Sequence, residues 1–114
     1  RILAGGGRIL FAVLGDDVVG TCALLQESPG VYELTKMAVT AAHQGAGIGR
    51  LLLDAIVDEF RRLGGDTLFL ETHSSLKPAI SLYERAGFEH RGHKPDSHYA
   101  RSDTYMVWRD PGAS

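Results

Sequence analysis

Seven consecutive residues, Gln44-Gly45-Ala46-Gly47-Ile48-Gly49-Arg50, carry the first chemical signal of this chain. Glycine lets a backbone turn tightly and lets a ligand approach with no Cβ in the way. The residues that follow fall at helical spacing, so the loop opens a helix. Its first N–H groups and its positive dipole end favour phosphate oxygens there. A pyrophosphate-bearing ligand is the functional reading, and a glycine-rich turn with a structural role is its competitor. Two familiar phosphate motifs do not fit. A P-loop closes on Gly-Lys-Ser or Gly-Lys-Thr, and here the run closes Gly49-Arg50-Leu51. A dinucleotide fingerprint places G-x-G-x-x-G directly after a strand, whereas these glycines alternate and Thr40 to Gln44 intervene. Glu71 does stand where a ribose-binding acid would be expected, so a nicotinamide cofactor is kept as the second reading. Cys22 sits inside an apolar run and reads as a packing residue rather than a nucleophile.

The elements that position this loop follow from hydrophobic periodicity. Residues 8–14 and 18–25 are apolar runs separated by Gly15-Asp16-Asp17, which predicts an antiparallel hairpin. Ser28-Pro29-Gly30 turns the chain into a third strand over 31–39. Simple alternation puts Tyr32, Leu34 and Ala38 on one face of it, and Val31, Glu33, Thr35, Met37 and Val39 on the other. Ile48, Leu51, Leu52, Ala55, Ile56, Phe60 and Leu63 then mark a helical stripe, stopped by Gly64-Gly65. Residues 67–72 form the next strand, and strand, helix, strand in that order predicts a parallel βαβ unit. Ser74-Ser75 are placed to cap a second helix, with Pro78 in its first turn and Gly87 closing it. Leu76, Ala79, Ile80 and Tyr83 would line one face. Two final strands fall over 88–91 and 102–109, where Tyr105 and Trp108 pack. The fold class is mixed α/β (α+β), a mostly antiparallel sheet around a central parallel βαβ unit, in a single domain over 1–114.

Composition narrows the functions. The 114 residues are 44 % hydrophobic and 23 % charged, as in ordinary globular chains, which excludes a disordered or collagenous polymer. A net charge of −2 gives no broad basic surface, so neither nucleic acid nor membrane is an expected partner. No apolar run reaches the roughly 20 residues needed to span a bilayer. One cysteine cannot form an internal disulfide, which suits a reducing cytoplasm.

The order of three motifs resembles the GNAT superfamily of N-acetyltransferases. Gln44-x-x-Gly47-x-Gly49 is similar to that family's Arg/Gln-x-x-Gly-x-Gly/Ala pyrophosphate loop. Lys36-Met37-Ala38-Val39 looks like the strand leading into it, and Leu82-Tyr83-Glu84-Arg85-Ala86-Gly87-Phe88 like the family's Leu-Tyr-x-x-x-Gly-Phe signature. The resemblance covers residues 8–109. It implies an acetyl-CoA co-substrate, whose pantetheine arm pairs with the backbone of Met37, Ala38 and Val39 where two strands splay apart. The backbone N–H groups of Gly45, Ala46, Gly47, Ile48, Gly49 and Arg50 would hold the pyrophosphate, while Leu76, Ala79 and Tyr83 close the other side. The family's Asn after the 67–72 strand is replaced by His73-Ser74-Ser75. The family also begins with one more strand and a pair of helices that form much of the acceptor site. Little precedes Arg8, so the resemblance implies a fold lacking that strand and those helices. The chain would then be a fragment or C-terminal part of a longer one, or its missing wall would come from a partner.

Acetyl transfer to an amine needs a base for the amine, a donor for the thioester carbonyl and a proton for the departing thiolate. The resemblance makes Tyr83 the general acid. Glu33, six positions before Val39 like the strand glutamate of the histone-acetyltransferase branch, is the candidate base. No activated Ser or Cys is evident, so transfer would be direct, in a ternary complex. His90, His93 and His98 with Asp96 lack ligand spacing, so no metal is expected. With Tyr99, Arg101 and Asp103 they read as acceptor contacts. The expected function is an acyl-CoA-dependent N-acetyltransferase acting on a small-molecule or protein amine, with homodimerisation compatible. Its rival is a non-catalytic acyl-CoA-binding or regulatory module.

Overall fold

The computed structural model describes residues 2–5, 8–92 and 103–110. Its strands are β1 (Ile2–Gly5), β2 (Ile9–Leu14), β3 (Asp17–Ser28), β4 (Val31–Val39), β5 (Thr67–Thr72), β6 (Phe88–His90) and β7 (Thr104–Trp108). They form one seven-stranded sheet in the order β1-β2-β3-β4-β5-β7-β6. Among the described residues only β4 and β5 pair in parallel, joined through helix α1 (Ile48–Arg62). Helix α2 (Lys77–Arg85) connects β5 to β6. The mixed sheet around a central βαβ unit is therefore as the periodicity requires. No helix among the described residues is long and apolar enough to cross a membrane.

Four local expectations are corrected. A strand does precede Arg8: β1 pairs antiparallel with β2, with Ile2 opposite Ala12 and Gly5 opposite Ile9. Only residues 6–8 separate these two strands, which leaves no room for helices between them. The α1 stripe is also rotated. Ile48, Leu52, Leu53, Ile56, Val57 and Phe60 are its buried residues, while Leu51 is 59 % exposed. At about 3.6 residues per turn, 48-52-56-60 is the axis of the stripe and 53 and 57 flank it. The third correction concerns α2, which starts at Lys77 with Leu76 in the N-cap position and no side-chain cap. Ser74 and Ser75 lie in the preceding turn, because their side chains bond Asp103 and His73 instead.

The fourth correction bears on the site. Thr21 pairs with Ala38 but Ala23 with Thr35, so Lys36 and Met37 together stand opposite Cys22. Lys36 takes a φ of 56°, in the left-handed region. A bulge adds one residue to a strand and reverses the side-chain alternation beyond it. Met37 and Val39 accordingly pack on the helix-side core with Tyr32 and Leu34. Glu33, which alternates with Tyr32 and Leu34, stays on the other face.

That helix-side core joins Leu10, Cys22, Leu24, Tyr32, Leu34, Leu68, Leu70 and Met106 of the sheet to the α1 stripe and to Tyr83 and Ala86. Phe60 sits edge-on to both Tyr32 and Trp108, with ring centroids 6.0 Å apart in each pair. The Trp108 indole N–H donates to the Ala86 carbonyl at 2.9 Å and so pins α2 to the last strand. Gly20 lets α1 approach, since a Cβ there would stand 2.9 Å from Leu52 Cδ1 and 3.3 Å from the Ala38 carbonyl oxygen. Cys22 is fully buried, and burial pushes its thiol up to about 12.

Two outcomes check this packing. Leu52→Ala lowers unfolding free energy by about 2–5 kcal/mol in urea titrations, whereas Leu51→Ala changes it by less than about 0.5 kcal/mol. The reverse order would restore the unrotated stripe. Ellman's reagent at pH 8 leaves Cys22 unmodified in the native chain and titrates one thiol per chain in denaturant.

Candidate active site

The cleft begins where a hydrogen-bond ladder ends. Val31 pairs with Thr67, Tyr32 with Leu68 and Glu33 with Phe69, and there the parallel pairing stops. β4 continues along β3 as far as Val39, while β5 runs on along β7 at its other edge, pairing Leu70 with Met106 and Thr72 with Thr104. The bulge at Lys36 bends β4 away at the point of parting. The backbone edge of residues 34–39 that faces β5 therefore opens on a cavity of about 930 Å³ instead of on a strand. Such an edge is built to accept an extended, amide-bearing ligand as a further strand.

At the end of β4 the chain makes a 3-10 turn over Ala41–His43 and reaches α1 through the glycine loop. The Gln44 amide Nε2–H donates to the Val39 carbonyl at 3.1 Å and ties the loop to the strand. Gly45 and Gly47 have φ of 85° and 84°, and a Cβ on either would meet no protein atom within 4 Å. Gly47 is the N-cap of α1 and offers no side-chain acceptor. The Leu51 N–H closes the first helical turn on the Gly47 carbonyl at 3.1 Å. The N–H groups of Ile48, Gly49 and Arg50 precede that bond and have no intrahelical acceptor. Together with the positive helix end they form a cradle for anionic oxygens, with open space in front of it. Gly49 answers to a different constraint. Its Cβ would stand 3.1 Å from Leu82 Cδ2, so this glycine lets α2 close on α1.

Of the residues expected at a cofactor site, Met37, Ala38, Val39, Gln44, Gly45, Gly47, Gly49, Arg50, Leu76 and Ala79 line the cavity, as do Tyr83 and Glu33. Two do not line it. Ile48 turns its side chain into the core at 7 % exposure, and Ala46 points to solvent at the loop tip. Only their backbone N–H groups remain available to a ligand. Pro78, Leu82 and Arg85 also line the cavity, and their spacing on α2 continues the stripe of Ala79 and Tyr83. Glu71 and Thr72 join from β5, past the point of parting. Lys36 carries no signal in its residue type, and it lines the cavity because of the bulge.

Tyr83 is buried, with its ring 5.9 Å from that of Phe88. Burial, assisted by nearby Cys22, holds its phenol above the ordinary value, so it is a neutral proton donor at neutral pH. Glu33 is 7 % exposed and belongs to the opposite face of the sheet. One acid and one carboxylate thus reach a single cavity from two sides. The exposed Asp103 carboxylate is hydrogen-bonded to the Ser74 N–H and hydroxyl. His90 pairs with Glu84 at 3.1 Å. Among the described residues no three His, Cys, Asp or Glu gather as a metal would need. His93, Asp96, His98, Tyr99 and Arg101 lie outside the described residues.

Residues 2–88 match the model of the Acetyltransferase (GNAT) family. An uncharacterized N-acetyltransferase of Bacillus subtilis, YvbK, is 36 % identical over 83 residues, 72 % of this chain and 53 % of the relative. The ribosomal protein bS18 alanine N-acetyltransferase of Salmonella typhimurium is 38 % identical over 73 residues, 64 % of this chain and 49 % of the relative. The chain thus spans about half the length of these relatives. The structure of yncA from Salmonella typhimurium, solved with acetyl-CoA, superposes with a TM-score of 0.73 at 25 % identity, over 93 % of this chain and 66 % of that one. The parted strands, the uncapped glycine loop and these matches agree, and the chain belongs to the GNAT family of acetyltransferases.

Proposed function

We propose that the chain is an N-acetyltransferase that moves the acetyl group of acetyl-CoA to a primary amine by direct transfer in a ternary complex. The observation that carries this reading is the parting of β4 from β5 beside an uncapped helix N-terminus, with Tyr83 and Glu33 lining the cavity from opposite faces. The open edge of β4 binds the amide-bearing arm of the co-substrate. The N–H groups of residues 48–50 hold its pyrophosphate, and Leu76, Ala79 and Leu82 cover the arm from α2. A β4 backbone N–H polarises the thioester carbonyl.

In the transfer, the amine nitrogen forms a bond to the carbonyl carbon and the carbon–sulfur bond breaks. Glu33 takes the proton that the amine loses, and Tyr83 supplies the proton that the departing sulfur gains. No protein nucleophile takes part, in keeping with the burial and raised pKa of Cys22. The acceptor is a small-molecule amine or a protein amino group. The reaction belongs in the cytoplasm, where a lone thiol stays reduced.

Release of free CoA thiol in the presence of a panel of amines tests the activity, and a chain that binds acetyl-CoA yet acetylates none of them would favour a regulatory module. Gly47→Asp sets a negative side chain in the empty space before the cradle. Calorimetry is expected to show no acetyl-CoA binding by this variant, although circular dichroism shows an intact fold.

Tyr83→Phe keeps the ring and removes the donor. Its acetyl-CoA affinity stays within about twofold of wild type and its kcat falls about 10²-fold. Because burial raises the phenol's pKa, wild-type Tyr83 stays protonated as pH rises through the neutral range. The rate ratio of wild type to Tyr83→Phe is therefore constant from about pH 7 to 9, and a ratio that collapses in this window removes Tyr83 as the acid. Glu33→Gln abolishes the acidic limb of the rate profile, measured with two acceptors of different amine pKa so that the substrate's own titration is separated.

A further inference from the structure

We propose that Asp103 is a positioning residue for the cofactor cleft: its carboxylate holds the turn 73–75 and so fixes where Leu76 and the start of α2 stand against the pantetheine arm. This rests on the acetyl-CoA reading of the cleft. Thr72 and Leu76 both line the cavity, and three residues separate them. The turn over those three residues thus decides how the α2 wall is set relative to β5. The C-terminal end of α2 is held by Trp108 at Ala86, whereas its first turn begins at an N-cap with no side-chain bond.

Asp103 reaches the turn from the far end of the sheet's sequence. Its N–H donates to the Thr72 carbonyl at 3.2 Å, extending the pairing of β5 with β7. Its carboxylate accepts the Ser74 N–H at 2.7 Å and the Ser74 hydroxyl at 2.6 Å. The Thr104 hydroxyl is a third donor, at 3.0 Å. Hydrogen bonds to an ionised acceptor are the strong ones, and two of these meet a single residue. The Ser74 hydroxyl and N–H hold the Asp103 carboxyl down to about 2, so the clamp persists through the neutral range. The turn is also closed on itself. His73 Nδ1 accepts the Ser75 N–H at 3.1 Å, and the Leu76 N–H donates to the His73 carbonyl at 2.9 Å.

Apart from Thr104, which is buried, these side chains are at the surface, with His73, Ser74, Ser75, Leu76 and Asp103 exposed. They bury no core, so the clamp contributes little to holding the fold and its effect falls on the cavity wall. The order of this turn is supplied from 29 residues downstream.

Calorimetry with acetyl-CoA on the purified chain tests the role. Asp103→Ala is expected to weaken binding about tenfold and Ser74→Ala, which keeps the backbone N–H donor, about threefold, each with an unchanged melting temperature. The double variant is no weaker than Asp103→Ala, because that substitution already removes every bond Ser74 makes to the carboxylate. Ser74→Thr keeps both donors and binds within about twofold of wild type. Unchanged affinity in Asp103→Ala, additive losses in the double variant, or a Ser74→Thr as weak as Ser74→Ala would each overturn the positioning role alone. A wild-type chain that binds no acetyl-CoA would overturn the cleft reading and this proposal together.

Discussion

Three residue pairs join β4 to β5, and beyond Glu33 and Phe69 the two strands have different neighbours. A buried backbone cannot leave its N–H and C=O groups unpaired without a cost comparable to a lost hydrogen bond for each. Beyond the parting each strand is paired on its outer side only, β5 with β7 from Phe69–Val107 to Thr72–Thr104 and β4 with β3. The two edges that face each other across the gap are left to water or to a ligand that carries amides of its own. An edge suited to an extended polar chain is thus a consequence of how the sheet is paired, before any side chain is considered.

The bulge at Lys36 is the local cause of this arrangement, and it reorders the chemistry as well. With unbroken alternation, Met37, Val39 and Glu33 would have shared a face. One added residue sends Met37 and Val39 to the helix side and leaves Glu33 on the other. A lysine in the left-handed region is strained, with a cost of order 1–3 kcal/mol. The surrounding pairs on both sides of the bulge hold it in place. Strain of this kind is concentrated where a strand must be re-aimed, and in this sheet that place is the mouth of the cleft.

How much of this the amino-acid sequence reveals depends on whether the cause is local. The bounds of β4, of β5 and of α1 follow from apolar periodicity and from the glycines that end each run, and the loop was readable from the spacing of residues 44–50. Other features have causes elsewhere in the chain. Nothing in the residue type Lys36 announces a positive φ. Ser74-Ser75 has the composition of a helix cap, yet Ser74 is drawn to Asp103, a partner 29 residues away that no local rule includes. β1 is short and precedes a glycine run, so its pairing with β2 is a tertiary fact rather than a propensity. Gly49 was legible as part of the loop, but its packing duty toward Leu82 requires knowing that two helices meet there.

The two faces of the sheet bear directly on how the proposed transfer would run. Tyr83 belongs to the helix side, where it is packed against Phe88 and shielded from water. Glu33 belongs to the other side, and the gap between β4 and β5 is the passage between them. In the proposed transfer a co-substrate lying in that gap would expose its carbonyl to the Glu33 face and its sulfur to the Tyr83 face, so that an amine arriving from the first would meet the carbonyl without displacing it. A covalent relay through the protein would need a nucleophile within the gap. The chain's lone thiol, Cys22, is instead sealed beneath α1, donating to the Leu52 carbonyl at 3.8 Å. Direct transfer, as proposed, would therefore ask the least rearrangement of this fold, because Tyr83 and Glu33 already line the opening beyond the β4–β5 ladder from opposite sides.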